Sequence, residues 1–143
     1  MSDGSDDDAG IGWAAVAVLT GCGALSALVE SLLVPLYVGR VLVPIAVVLA
    51  LLLNGALPRL ARSAVDRTSA AVAPFAGWLF VVIVLSGFPR PEGDVIYPGG
   101  GGYVQWVSYG VLLGGTLAGT LSIVFSTQPK SVVSAEPTPV LKK

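Results

Sequence analysis

Four long apolar runs, at about 11–34, 41–57, 70–88 and 103–125, constrain this 143-residue chain more than any other feature. Each is close to the roughly 20 residues that a helix needs to cross the hydrocarbon core of a bilayer, and well beyond the length of an ordinary strand. A backbone passing through lipid must satisfy its own polar groups, and a continuous helix does that within one segment. The predicted fold is therefore all-α: a polytopic membrane protein with four transmembrane helices in an up-down bundle. Residues 1–10 and 126–143 are predicted to be disordered tails on either side of it. Only 12% of the residues are charged, against about a quarter in a soluble domain, which leaves no material for a soluble domain of useful size.

The breaks between the runs carry most of the polar residues. The N-terminal tail holds Asp3, Asp6, Asp7 and Asp8 and no Lys or Arg. Pro35 to Arg40 reads as a tight connection, with Pro44 in the first turn of the second helix, where a missing N–H costs little. Asn54-Gly55 and Pro58 mark the far end of that helix. Arg59 to Arg67 is then a short basic connection in which Arg62 and Asp66 have the spacing of a helical ion pair. The third run has Pro74 near its start and Trp78 near its middle, and the C-terminal tail carries Pro129, Pro137 and Pro139 with three lysines.

Four crossings put both termini and the second connection on one side of the membrane. That side holds Arg59, Arg62, Arg67, Lys130, Lys142 and Lys143, against Arg40 and Arg90 on the other. The positive-inside rule then places both termini in the cytoplasm of a cell whose plasma membrane the chain spans, and turns the 88–102 loop outward.

Several function classes fall away on composition. The chain has no histidine and one cysteine, Cys22, which removes internal disulfides, the usual zinc sites and Ser-His or Cys-His catalysis. A net charge of -1 with scattered basic residues lacks the clustered positive surface that nucleic acid requires. No cofactor and no metal is implied. Leu19-Thr20-Gly21-Cys22 has the form of a lipobox, but no basic segment precedes it and the apolar run continues past it to Leu36. Cys22 is therefore read as a small packing residue among Gly21, Gly23 and Ala24.

The candidate functional residues gather toward the outer side. Glu30 is the one charge inside the first run and lies about seven residues, or roughly 10 Å, beyond its middle. That depth is within the apolar slab and near its outer edge. A carboxylate there needs a partner or water, and is a functional candidate for that reason. Arg40 and Arg90 fall on the same side as ion-pair partners, with Glu92 and Asp94 beside Arg90 in the loop. Two readings stand: an ion pair that fixes how the first helix docks, or a cation or proton site beneath the outer loop. Tyr37, Tyr97, Tyr103 and Trp106 read as interfacial aromatics. Gly99 to Gly102 lacks the Lys-Ser/Thr sequel of a phosphate loop and reads as a hinge.

Helices in lipid associate through close contact at small residues. Gly110, Gly114, Ala118 and Ser122 recur every four residues, widened by Gly115 and Gly119, and the first run offers Ala17, Gly21, Ala24 and Ala27. These faces predict that helices one and four pair, or that helix four lies at a subunit interface.

The acidic N-terminus, the four spans, Arg90-Pro91-Glu92-Gly93-Asp94 and Gly102-Tyr103-Val104-Gln105-Trp106 together resemble an uncharacterised family of small four-span membrane proteins from high-GC Gram-positive bacteria. The resemblance implies the architecture and no activity. Four short helices with a carboxylate in the first also resemble the small multidrug transporters, although there the carboxylate lies near mid-membrane. The leading expectation is a non-enzymatic accessory or assembly subunit, held in the bilayer and binding another membrane protein or a copy of itself. The alternative is a small proton- or cation-coupled transporter or channel using Glu30.

Overall fold

In a computed structural model the chain is described over residues 3–87 and 102–128, with side chains of the first helix from Ala9 onward. The elements in order are α1 (Asp3–Leu33), β1 (Tyr37–Val38), β2 (Val41–Leu42), α2 (Ile45–Val65), α3 (Thr68–Gly87) and α4 (Tyr103–Thr127). Ala9–Leu33 of α1 and the whole of α2, α3 and α4 are long and apolar enough to cross a membrane. This is the all-α, four-span architecture of a multi-pass membrane protein.

Three boundaries differ from the sequence reading, each for a physical reason. Helix α1 begins at Asp3, inside the acidic stretch, because negative residues in the first turns favour the positive end of the helix dipole. The connection between α1 and α2 is a miniature antiparallel hairpin, so the second helix starts at Ile45 instead of Val41. Tyr37 pairs with Leu42 and Val38 with Val41, and Gly39 takes φ +65° at the first of the two turn positions, where a type II′ turn calls for glycine.

The third difference is the largest. Asn54-Gly55 and Pro58 do not end α2, which runs on to Val65 with Pro58 inside it. Leu57, Pro58 and Ala61 are all buried, and Ala61 packs with Val16 of α1 and Ala70 of α3. That packing outweighs the local penalty of the proline. Beside the missing N–H, the Ser122 hydroxyl of α4 donates to the Gly55 carbonyl at 2.7 Å. Asp66 then stops the helix in a left-handed conformation, its N–H donating to the Arg62 carbonyl at 2.7 Å. The Arg62–Asp66 ion pair forms at 3.5 Å.

Contacts between helices fix the arrangement. Val16 meets Ala70, Gly23 meets Pro74 and Glu30 meets Trp78, so α1 and α3 run parallel and in contact along their lengths. Helix α4 runs parallel to α2 in the same way: Gly110 faces Val47, Gly114 faces Leu51 and Ser122 reaches Gly55. Helices α2 and α3 lie between α1 and α4, which have little or no contact with each other. The expected pairing of helices one and four is not found. The glycine stripe of α4 is matched by branched side chains on α2, which fill the groove that a second small face would leave empty.

The sharpest contact is between backbones. A Cβ built on Gly23 runs into the carbonyl of Pro74, whereas one on Gly21, two residues away, meets nothing within 4 Å. Replacing Gly23 by Val is therefore expected to lower the unfolding midpoint in detergent, at a cost of about 3 kcal/mol or more, since a backbone carbonyl cannot rotate aside. Gly21→Val should leave the midpoint within error. Equal effects of the two substitutions would rule out the α1–α3 register.

Candidate functional site

The site is built where all four helices come together. On α1 the buried face is Val16, Gly23, Ala27 and Glu30, with half-buried Thr20 between the first two and Val34 just past the helix end. These positions alternate in steps of four and three, the spacing that keeps one face toward its neighbours in a left-handed bundle. The small residues singled out by spacing of four lie mostly elsewhere: Ala17 and Gly21 are exposed, Ala24 is half-buried, and only Ala27 is in the core.

Glu30 is completely buried. Its Oε2 accepts a hydrogen bond of 2.8 Å from the indole Nε1–H of Trp78 on α3. Its Oε1 is buried and has no hydrogen-bond partner among the described residues. Ser26, one turn earlier on the same face, donates to the Gly23 carbonyl at 2.8 Å, and its hydroxyl also lies beside the Glu30 carboxyl. Among the described residues the one ion pair is Arg62–Asp66, so no described cation offsets this carboxyl.

Trp78 carries the site across the bundle. The benzo edge of its ring lies against Gly115 of α4, where a Cβ would come within 2.6 Å of Cζ2 and Cη2. Phe75 stacks beside it, with ring centroids 6.1 Å apart and planes 14° from parallel, and the Phe75 ring covers Gly119 one turn further along α4. Asn54 of α2 closes the fourth side. Its Nδ2 donates to the Ala50 carbonyl at 3.0 Å and lies 3.3 Å from the same built Cβ at Gly115. Glycines 115 and 119 thus make room for two aromatic rings, and Gly110 and Gly114 for Val47 and Leu51.

The helix pairing also locates Glu30 along the bundle. Trp78 stands midway along α3, and Gly115 midway along α4. Glu30 lies three residues before the end of α1, and the Val16–Ala70 and Gly23–Pro74 contacts set its backbone beside the last turns of α3, so its side chain meets the Trp78 indole from the hairpin end of the bundle.

The other predicted residues separate from this centre. Arg40 is exposed at the hairpin turn and does not pair with Glu30. Arg90, Glu92 and Asp94 lie outside the described residues, as does Tyr97. Of the packing stripe, Gly110 and Gly114 face α2, Ala118 is half-buried and Ser122 is buried on Gly55. Cys22 is exposed on the outer face of α1 and is not a packing residue. Tyr37, Tyr103 and Trp106 are exposed, at the ends of their segments.

Trp78 and Asn54 are the buried polar residues of this centre that sequence reading did not single out. A signal existed for the first. Tryptophan favours the membrane interface, and an indole in the middle of an apolar span carries an N–H that needs a partner. Asn54 was masked by its neighbour, since Asn-Gly reads as a turn.

Chemically, the centre is a carboxyl oriented by the Trp78 donor, with a second oxygen that has no hydrogen-bond partner among the described residues. An ionised carboxylate placed there without a counter-charge costs about 3 kcal/mol or more. A family model described as a family of unknown function (DUF6113) matches residues 7–134, a stretch that takes in all four apolar spans. No curated protein and no solved structure matches the chain.

A double-mutant cycle tests whether the indole and the carboxyl form one unit. Trp78→Phe and Glu30→Leu, alone and together, should show a coupling of about 1 kcal/mol in unfolding from mild detergent, within the span for polar pairs between membrane helices. Strict additivity would mean that the two side chains do not interact.

Proposed function

The chain belongs to the family of unknown function DUF6113, and on that premise we propose that it is a non-enzymatic membrane protein in which Glu30 takes up and releases a proton or small cation during transport. The observation that carries this reading is the buried Oε1 of Glu30, which has no partner among the described residues. A purely structural carboxyl would be expected to have both oxygens satisfied or a cation against it. Here Trp78 holds one oxygen and leaves the other open.

The reading as an accessory or assembly subunit rests on the small-residue stripe of α4, the 88–102 loop and the lack of a catalytic constellation in the sequence. That stripe lies against α2, Trp78 and Phe75 within the chain itself. A partner protein, or a second copy, would have to use another face. The proposed setting is the plasma membrane with both termini cytoplasmic, supported by the distribution of Lys and Arg about the spans.

In sealed vesicles loaded with a pH-sensitive dye, the wild-type protein should dissipate an imposed proton gradient in response to a monovalent inorganic or small organic cation. Glu30→Gln keeps the shape and the acceptor for Trp78 but loses the exchangeable proton, and should reduce that flux at least about tenfold. Arg40→Gln, far from the centre, should transport normally. Full flux in Glu30→Gln would exclude the carboxyl from the process. Absence of wild-type flux, with a stoichiometric membrane partner in gently extracted lipid patches, would return the role to assembly.

A further inference from the structure

At the opposite end of the bundle from the β1–β2 hairpin, the last turns of α2 and α4 diverge around an open cleft of about 940 Å³. One wall is α2, with Arg59 and Ser63 one turn apart and Arg62 and Asp66 beside them. The other is α4, with Phe125 and the residues up to Gln128 at its end. The two arginines are not equivalent. Arg62 is held in place, with Nη2 3.5 Å from the Asp66 carboxylate and Nη1 donating to the Thr68 hydroxyl at 3.1 Å. Arg59 is exposed and has no hydrogen bond or ion pair among the described residues. Among the described residues Arg59 is thus the cleft's uncompensated charge, since Asp66 already answers Arg62. The guanidinium fork is also the side chain best matched to a phosphate.

The surface leading away from the cleft is apolar. Phe125 is 57% exposed, and Leu121 and Leu117, one and two turns back on the same row of α4, are 50% and 62% exposed. This row runs from the cleft into the part of α4 that is long and apolar enough to lie within a membrane. A basic mouth continuous with an apolar helix face has the chemistry of an anionic phospholipid: phosphate above, acyl chain below. A free phosphate compound would use the first part and leave the second without purpose.

We infer that this cleft binds the phosphate headgroup of an anionic phospholipid, with Arg59 as the principal contact and an acyl chain along Phe125, Leu121 and Leu117. The site is independent of Glu30, which lies toward the hairpin end of the bundle, and stands whether or not that residue takes part in transport. Gln128 contributes a neutral donor at the rim.

The test measures lipid retained by the purified full-length chain in mixed micelles of phosphatidylglycerol and phosphatidylcholine, read by native mass spectrometry. The wild type should retain phosphatidylglycerol selectively. Arg59→Gln should lower that occupancy about fivefold, the usual contribution of one basic residue near an anionic headgroup. Arg40→Gln removes the same charge at the other end and should change nothing. Leu121→Asn, which interrupts the apolar row, should lower retention while Arg59 is intact. Equal retention by wild type and Arg59→Gln would overturn the proposal. Displacement of the lipid by millimolar inorganic phosphate, with no preference between the two lipids, would also overturn it and assign the cleft to a soluble phosphate compound.

Discussion

A carboxyl group sealed between membrane helices must find a donor inside the protein, and the hydrogen bond from Trp78 to Glu30 answers that requirement. Much of the bundle follows from accommodating it. An indole that reaches α1 with its N–H presents its benzo edge to α4, and only a residue without a side chain fits there, which is Gly115. The Phe75 ring, stacked on the same indole, makes the same demand at Gly119. The contact between α3 and α4 is thus largely an aromatic pair against two glycines. Elsewhere α4 leans on α2.

Two prolines sit inside helices, and each lies beside a contact made by a neighbouring helix. Pro58 removes an N–H from α2, and Ser122 donates to the adjacent Gly55 carbonyl from α4. Pro74 lies in α3 against Gly23, whose lack of a Cβ lets the two backbones approach. In a bilayer, where no water reaches a weakened ladder, such contacts from adjacent helices make a proline tolerable in mid-span. They also fix register: Ser122 sets α4 against α2, and Gly23 sets α1 against α3. The polar atoms of the bundle therefore act mainly as positioning devices. Glu30 differs in having an oxygen with no partner among the described residues.

The molecule consequently offers two distinct chemistries along its length. Toward the hairpin end of the bundle a single carboxyl is buried between α1 and α3, with one oxygen held by Trp78 and the other without a partner among the described residues. At the end where α2 and α4 terminate, a basic cleft opens beside an exposed apolar row. The first is closed to solvent and acts only on what can reach the bundle interior. The second is open and faces the level at which lipid headgroups lie when the helices span a membrane.

The sequence by itself determined the number of spans, their approximate limits and the presence of one anomalous charge, because an apolar run of about 20 residues has essentially one way to satisfy its backbone in lipid. The Arg62–Asp66 pair was legible for the same local reason, being one helical turn apart. What only the tertiary structure decided was register and partnership. Residue counting along α1 put Glu30 near an outer edge, and only the structure supplies its partner, the Trp78 indole of α3. A stripe of glycines showed that α4 is packed closely, but not against which helix, since a small residue accepts a backbone, a valine or an indole equally well. Pro58 and Asn54-Gly55 read as a helix end because their local propensities say so. Burial of Leu57 and Ala61 against α1 and α3 outweighs those propensities, and no local pattern encodes the neighbours that supply that burial.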